Sequence, residues 1–488
     1  MPPLHSSHDS VLSLVCAVLS MLNRVLLSTV ALLLAACSQT AEFHRPPAPI
    51  PQNWPTDLNI LGQQDATKTH WRAFFTDPRL QALIEAALEN NRDLRIAVAR
   101  VKEARAQYGI VRADKLPSVN LLGSGSFLQT PSDLSGVGVP LSSERYDLNL
   151  SSVSFEVDFW GRIAGLTESA RNSYLATEEA QRAVQLSLVS DVASAYFTLL
   201  QMDTLAALTR DSVALRAQTL VLVGKGRDLG GAYDFEFQQA SGILDSTRAA
   251  LDSIEHQRAV ASNRLNFLVG SFPSDLPTGR SLDEQGLDAD LAPGVPGEVL
   301  LLRPDVIAAE QRLLSAHANI GAARAAFLPK VLLTAGLGVA SQGLLGLLGG
   351  GAWSFQPAIS LPLFDGGRLA AGVDMAEARK VIAVAEYEKT IQLAFREVAD
   401  ALSARTSLSK QLKAAVSNEK SQDKRLEIAQ ARYNAGLISF LEVLDGQREL
   451  VASQQITAQV RRAQLESAAQ LYKALGGGKS YENRTGGA

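Results

Sequence analysis

At 488 residues the chain is well beyond the ~100–200 of one typical domain, so it holds several domains or an elongated body. Its 46 Lys and Arg against 50 Asp and Glu leave a net charge of −4, without the basic excess of a nucleic-acid binder. Two cysteines exclude a disulfide scaffold, six scattered histidines show no metal-ligand spacing, and the body of the chain has no run of 18 apolar residues, which excludes a polytopic helical membrane protein.

The N-terminus reads as an address. Residues 25–36 form a short apolar stretch behind Arg24, and Leu34-Ala35-Ala36-Cys37 is similar to the bacterial lipobox, in which the cysteine is lipidated and becomes the mature N-terminus. A signal peptide is expected over 1–36, and a lipidated N-terminal segment over 37–76. Pro2, Pro3, His5, His8 and Asp9 make an unusual signal prefix, so translation is expected to start at Met21. Cys37 then remains as the one mature cysteine.

The first helix is expected from Asp77 to Leu116. Leu83, Ala87, Leu94, Val98, Val101 and Tyr108 keep a coiled-coil-like stripe, and Pro117 stops it. Two strands follow. Residues 119–128 alternate roughly, and Tyr146, Leu148 and Leu150 alternate with Asp147 and Asn149. Val153, Phe155, Val157 and Phe159 then alternate with Ser154, Glu156 and Asp158, so the phase slips at Ser151-Ser152, as a bulge would make it. The second helix begins near Arg162 and carries its stripe through Val184, Leu188, Ala195, Leu199 and Met202 to Val223. That is roughly 90 Å at about 1.5 Å per residue, too long for a compact globule. Gly224–Gly231 is expected to break it before a further helix to about Leu268. Prolines from Pro273 to Pro304 mark a linker over 271–303.

The order then repeats. Leu116-Pro117-Ser118-Val119 returns as Leu328-Pro329-Lys330-Val331 at an offset of 212 residues. Phe159-Trp160-Gly161-Arg162 returns as Phe364-Asp365-Gly366-Gly367-Arg368 near 206, and Gly230 and Gly270 return as Gly436 and Gly476 at 206. The first copy is placed at 77–270 and the second at 304–478, with 479–488 as a flexible tail. The second copy holds a helix to Phe327, two strands, a long helix from Arg368, a break at Asn434–Gly436 and a helix to Leu475. Its strands mark one face with Val331, Leu333, Ala335, Leu337 and Val339, then with Trp353, Phe355, Ile359, Leu361 and Leu363.

Strands of ~9–11 residues with one apolar face fit the wall of a transmembrane β-barrel, and a soluble half-buried hairpin would carry the same pattern. Thr130–Arg145 and Ala340–Ala352 read as hairpin tips. Four strands cannot close a barrel, and an open edge in lipid would be prohibitive; three chains supply twelve strands.

Together these pieces resemble the outer-membrane factor family of tripartite efflux systems, the TolC family in its OprM/NodT lipoprotein branch. The carriers are the Cys37 lipobox, the Phe159–Arg162 turn, Leu302-Arg303-Pro304-Asp305-Val306, the run from Ile320 to Pro329, and that from Ile359 to Arg368. Ala394–Leu402 and Leu471–Gly478 complete the set. The resemblance covers nearly all of residues 37–478. It implies an internally duplicated α+β membrane protein: a homotrimer whose twelve-stranded β-barrel sits in the bacterial outer membrane and continues as a coiled-coil-like α-helical barrel into the periplasm.

The implied function is a passive exit duct for small molecules. Its implied partners are a periplasmic adaptor and an inner-membrane pump of the proton-driven RND type, with no nucleic acid and no cofactor beyond the lipid on Cys37. The competing reading is the periplasmic adaptor itself, which also has long helical hairpins. An enzyme is not expected, because the chain has no P-loop, no His-Glu-x-x-His and no Gly-x-Ser-x-Gly. The barrel places Tyr146, Trp353 and Phe355 toward lipid or its interface, and Asp147, Glu156 and Asp158 toward water. In the resembling family the segment matching Ser439–Arg448 forms the periplasmic constriction. That implies that Leu441 and Asp445 face the axis and that Arg448 tethers neighbouring helices. The first copy offers Phe235 and Gln239 at the corresponding positions, so an acidic ring would come from the second copy alone. The exported substrate is not encoded in these features.

Overall fold

The computed structural model describes residues 42–54, 64–65, 69–228, 234–287, 291–292 and 295–477. Cys37, the signal segment, residues 229–233 of the first-copy break and the tail lie outside the described residues. In chain order the main elements are α1 (Pro78–Asn90), α2 (Arg92–Ala113), β1 (Asn120–Thr130), β2 (Leu141–Val157), α3 (Arg162–Asp228) and α4 (Asp234–Val269). There follow α5 (Pro304–Ala325), β3 (Lys330–Ser341), β4 (Gly351–Ser360), α6 (Arg368–Asn434) and α7 (Phe440–Ala474). The linker carries a two-residue strand, Leu291–Ala292, which pairs in parallel with Gln64–Asp65, and a short helix, Pro296–Leu300. The duplication is visible in the lengths: α3 and α6 each have 67 residues, about 100 Å of helix at 1.5 Å per residue.

The chain forms two units. One comprises Glu103–Leu175 and Gln311–Ala385 with residues 42–46. The other comprises Pro47–Lys102, Ala176–Glu310 and the chain from Glu386 onward.

The first unit holds a four-stranded antiparallel sheet in the order β1-β2-β3-β4. Its strands run further toward the hairpin tips than the alternation suggests, to Thr130 and from Leu141. β4 stops at Ser360, so Leu361 and Leu363, expected on this strand, lie beyond its end; Pro362 has no N–H to continue the ladder. The bulge is present but sits between Ser152 and Phe155, where Val153 and Ser154 stand against the single residue Thr334. Ser154 takes φ +55° there, and its N–H donates to Thr334 Oγ1 at 3.0 Å.

The second unit is built around an aromatic core. Phe74 stacks on Tyr472 at 4.8 Å between ring centroids, Phe75 meets both rings edge-on, and Leu80, Ile84 and Tyr196 are fully enclosed. The helix expected from Asp77 to Leu116 is two helices. Asn91 ends α1 in an extended conformation and accepts from the Leu94 N–H with its Oδ1 at 2.9 Å, so it caps α2 as well. Gly224 does not break α3, which continues to Asp228. The Phe237 ring of α4 packs over the surface that Gly224 leaves bare, and the Arg227 guanidinium lies 4.2 Å from the centre of the same ring.

Candidate functional site

The pairing register sorts the sheet into two faces, because residues directly opposite each other share a face and neighbours along a strand alternate. Tyr146, Trp353 and Phe355 fall on the same face, joined through Ser341, Leu337 and Ala335 of β3. Leu121, Phe127, Leu148, Leu150, Val331, Leu333, Val339 and Ile359 lie there too. The bulge keeps this face apolar. It exchanges odd for even positions, so that Phe155 and Val157 rejoin the face of Leu148 and Leu150. Trp353 is 79% exposed and Phe355 59%, a large apolar surface left without protein cover.

The opposite face carries Ser124, Ser126, Asp147, Asn149, Glu156, Thr334, Ser354 and Gln356, with Gly336 and Gly338 among them. Leu122, Leu128, Leu141 and Leu332, with Ala340, Ala352 and Ala358, are its apolar exceptions. Its carboxylates are paired: Arg145 binds Asp147 through both Nε and Nη2, and Arg162 forks onto Glu156 at 2.7 Å for each bond. Asp158, expected beside Glu156 on a strand, lies just past it. Its carboxylate accepts from the N–H groups of Ile163 and Ala164 at 3.1 and 2.7 Å and caps α3. Asp365 does the same for α6, accepting from Gly367 and Leu369. The repeated turn thus reverses the chain from strand into long helix. Gly161 and Gly367, at positive φ of 73° and 86°, occupy equivalent places in it. Trp160 Nε1 donates to the Pro329 carbonyl at 2.7 Å and ties the turn of the first copy to the Leu-Pro marker of the second.

Two polar joints hold the helices of the second unit. Arg303 is 5% exposed, and its guanidinium reaches Asp305 and Glu397 at 2.7 Å and the Ala474 carbonyl at 2.8 Å. Burial opposes the charge, but these carboxylates outweigh it and hold the guanidinium above its ordinary pKa. Three of the motifs quoted from the sequence meet at this one side chain. The second joint is Asp77, 1% exposed, which caps α1 and accepts from Tyr196 Oη at 2.9 Å, the Arg280 N–H at 3.0 Å and Gln285 Nε2 at 2.5 Å. Burial alone would raise the Asp77 pKa; the donors from Gln285, Arg280, Tyr196 and Arg79 prevail and lower it. Burial, then the neighbouring Asp77 charge, pushes the Tyr196 hydroxyl well up, so it stays a donor.

Leu441, Asp445 and Arg448 stand on one side of α7. Leu441 is 57% exposed, and Asp445 accepts from Arg448 at 2.7 Å one turn away. Arg425 of α6, which sequence reasoning missed, donates to the other oxygen of the same carboxylate at 2.7 Å. A groove beside them is lined by Leu441, Asp445, Arg425 and Arg448 together with Arg216 and Gln239. Burial pulls the Arg216 guanidinium below its ordinary pKa, and its Nη1 donates to Thr247 Oγ1. Gln239, the first-copy counterpart of Asp445, therefore does line the same groove.

The family model for outer membrane efflux proteins matches residues 83–271 and 295–477. The chain belongs to the outer membrane efflux protein family. It is 41% identical over 457 residues to the solvent efflux pump outer membrane protein SrpC of Pseudomonas putida, covering 92% of this chain and 97% of that protein. It is 40% identical over 454 residues to the cation efflux system protein CusC of Escherichia coli O157:H7, covering 92% and 97%. The crystal structure of the open state of the MtrE outer membrane channel of Neisseria gonorrhoeae is similar, with a TM-score of 0.84 and 34% identity over 91% of this chain and 98% of that one. This member of the family is an outer-membrane efflux channel, and the adaptor reading is set aside: both copies and both hairpins fall within the matched channel architecture.

Proposed function

We propose that three copies of this efflux channel close a twelve-stranded barrel and form a passive exit duct. Among the described residues, β1 and β4 each pair on one side only, and the sheet between them has one apolar and one largely polar face. That sheet carries the reading, since lipid offers an unpaired edge no hydrogen-bonding partner and a closed ring removes the edge. The apolar face with Tyr146, Trp353 and Phe355 meets lipid, and the face with Asp147 and Glu156 lines the lumen. A duct of this kind performs no catalysis and needs no cofactor; it requires a polar passage and a gate.

The gate of this reading lies at Leu441, Asp445 and Arg448. Cys37 carries acyl chains that assist sorting and assembly. The channel works with a periplasmic adaptor and an inner-membrane pump, of the RND type. Near-equal identity to a solvent-system and a cation-system component supports leaving cargo choice to the pump. The mass of detergent-extracted protein tests the assembly. Three chains are expected, and a stable single chain in lipid overturns the architecture.

A further inference from the structure

The two hairpins of the sheet share a register. In the first, Leu121, Gly123, Gly125 and Phe127 of β1 stand opposite Leu150, Leu148, Tyr146 and Glu144 of β2. In the second, Leu333, Ala335, Leu337 and Val339 of β3 stand opposite Pro357, Phe355, Trp353 and Gly351 of β4. First strands are displaced by 212 residues and second strands by 207 at every one of these pairs. The bulge accounts for the remaining step: Val153 and Ser154 add one residue to β2 that β4 lacks, which returns the displacement to 206 at the turn. The hairpins are therefore equivalent residue by residue, and the β2–β3 junction is one hairpin meeting the other. In it Leu150, Leu148 and Tyr146 stand opposite Leu337, Val339 and Ser341.

We infer that β4 of one copy pairs with β1 of the next in the register in which β2 pairs with β3. This rests on the three-copy reading and specifies its interface. Carried across by the same displacements, Phe355 stands opposite Phe127 of the next copy, Pro357 opposite Gly125, Ile359 opposite Gly123, and Trp353 opposite Gln129. Strand direction, face and shape are all consistent with it. The strand directions alternate correctly, since β4 runs opposite to β1 within the chain. Each of these positions lies on the face of Tyr146 and Trp353 in its own strand, whereas a slip of one residue would set the apolar face of β4 against the polar face of β1. Shape also matches. Gly123 and Gly125 leave low positions opposite the bulky Ile359 and Pro357, while the exposed rings of Phe127 (66%) and Phe355 (59%) come together. Phe127 already meets Tyr146 edge-on at 5.6 Å, so the interface extends an existing aromatic pair into a row of three.

Disulfide trapping in assembled protein reads this register. Directly opposed antiparallel residues have Cα atoms about 4.5–5.5 Å apart, inside the range a disulfide spans, and a pair two residues out of register does not. In the otherwise unaltered chain, where on the reading above Cys16 leaves with the signal segment and Cys37 is acylated, Phe127→Cys with Phe355→Cys should oxidise to a covalent three-chain band that reductant dissolves. It should give about tenfold more of that band than Phe127→Cys with Pro357→Cys or with Trp353→Cys. A shifted pair that cross-links in preference overturns the register and leaves the three-copy reading intact. So does a three-chain mass in detergent with no cross-link at Phe127 and Phe355. A single-chain mass overturns the three-copy reading itself.

Discussion

The Asn91 side-chain amide donates to the Leu268 carbonyl at 2.7 Å, across 177 residues of sequence. Its counterpart 212 residues on is Arg303, which donates to the carbonyl of Ala474, the counterpart of Leu268 at 206. The duplication has thus kept a joint, a side chain at a helix start gripping the last turn of the final helix of its own copy, and changed the chemistry. Asn91 is neutral; Arg303 carries a charge that Asp305 and Glu397 must balance.

The two joints should differ in cost. Asn91→Ala removes a cap and one carbonyl bond, a loss of about 1 kcal/mol. Arg303→Ala strands two carboxylates and a helix-end carbonyl. The loss should be about 3 kcal/mol, the low end for a buried pair, because both carboxylates are 36% exposed and water can reach them. Arg303→Lys should recover only part, since an ammonium cannot fork onto both acids. Denaturant unfolding in detergent measures all three, and equal losses for Asn91→Ala and Arg303→Ala would remove the distinction.

Gly270 and Gly436 share a left-handed backbone, with φ of 73° and 72°, but not their surroundings. A Cβ on Gly270 would lie 2.6 Å from the Asn90 carbonyl oxygen, whereas one on Gly436 meets open space. Gly436→Ala should cost about 1–2 kcal/mol, the backbone term alone. Gly270→Ala should cost clearly more and reduce the yield of assembled channel. Thermal melts of the two variants in the same detergent decide this, and a larger loss at Gly436 would contradict it.

Asp77 should impose an acid limit on the second unit. Its folded pKa lies below the usual carboxylate value, so its contribution is complete above about pH 4 and is lost as pH falls through the folded pKa. The wild-type melting temperature should therefore hold above about pH 5 and fall steeply below about pH 4. Asp77→Asn should melt lower at neutral pH and show a shallower acid limb. An unchanged limb in that variant would place the acid sensitivity elsewhere.

The elements that carry the sheet were readable from local pattern. Alternation placed Tyr146, Trp353 and Phe355 on one face and detected the bulge within two residues, because a strand writes its burial into consecutive positions. The length of α6, and that of α3 as far as Val223, followed from the absence of breakers. What remained hidden depends on contacts distant in sequence. Asn91 interrupts a helix whose apolar stripe continues undisturbed, and the joint is marked by its bonds to the Leu268 carbonyl and the Leu94 N–H. Gly224 reads as a breaker until Phe237 is seen lying over it. Arg303 and Glu397 were both quoted as motif residues, yet nothing in either segment states that they meet. Arg425 sits in a run of charges on a helix and gave no local signal distinguishing it from Lys424 or Glu427.

The proposed constriction offers the sharpest functional test. Asp445 is held from two sides, by Arg448 one turn along α7 and by Arg425 across on α6, so each chain brings two guanidiniums to one carboxylate. The cross-helix bond ties α7 to α6, and on the gate reading proposed above that tie favours the closed arrangement. An exposed pair of this kind contributes about 0.2–1 kcal/mol, up to about fivefold in the closed population per chain, and three copies compound it. Asp445→Ala removes both bonds and uncovers the two arginines. It should raise conductance across a planar bilayer and shift ion preference toward anions. Arg425→Ala breaks the tie but leaves Asp445 with Arg448, so it should raise conductance with less change in preference. Leu441→Ala should raise conductance without altering preference, because it widens an apolar ring and moves no charge. Wild-type conductance and selectivity in both Leu441→Ala and Asp445→Ala would place the gate elsewhere on the chain.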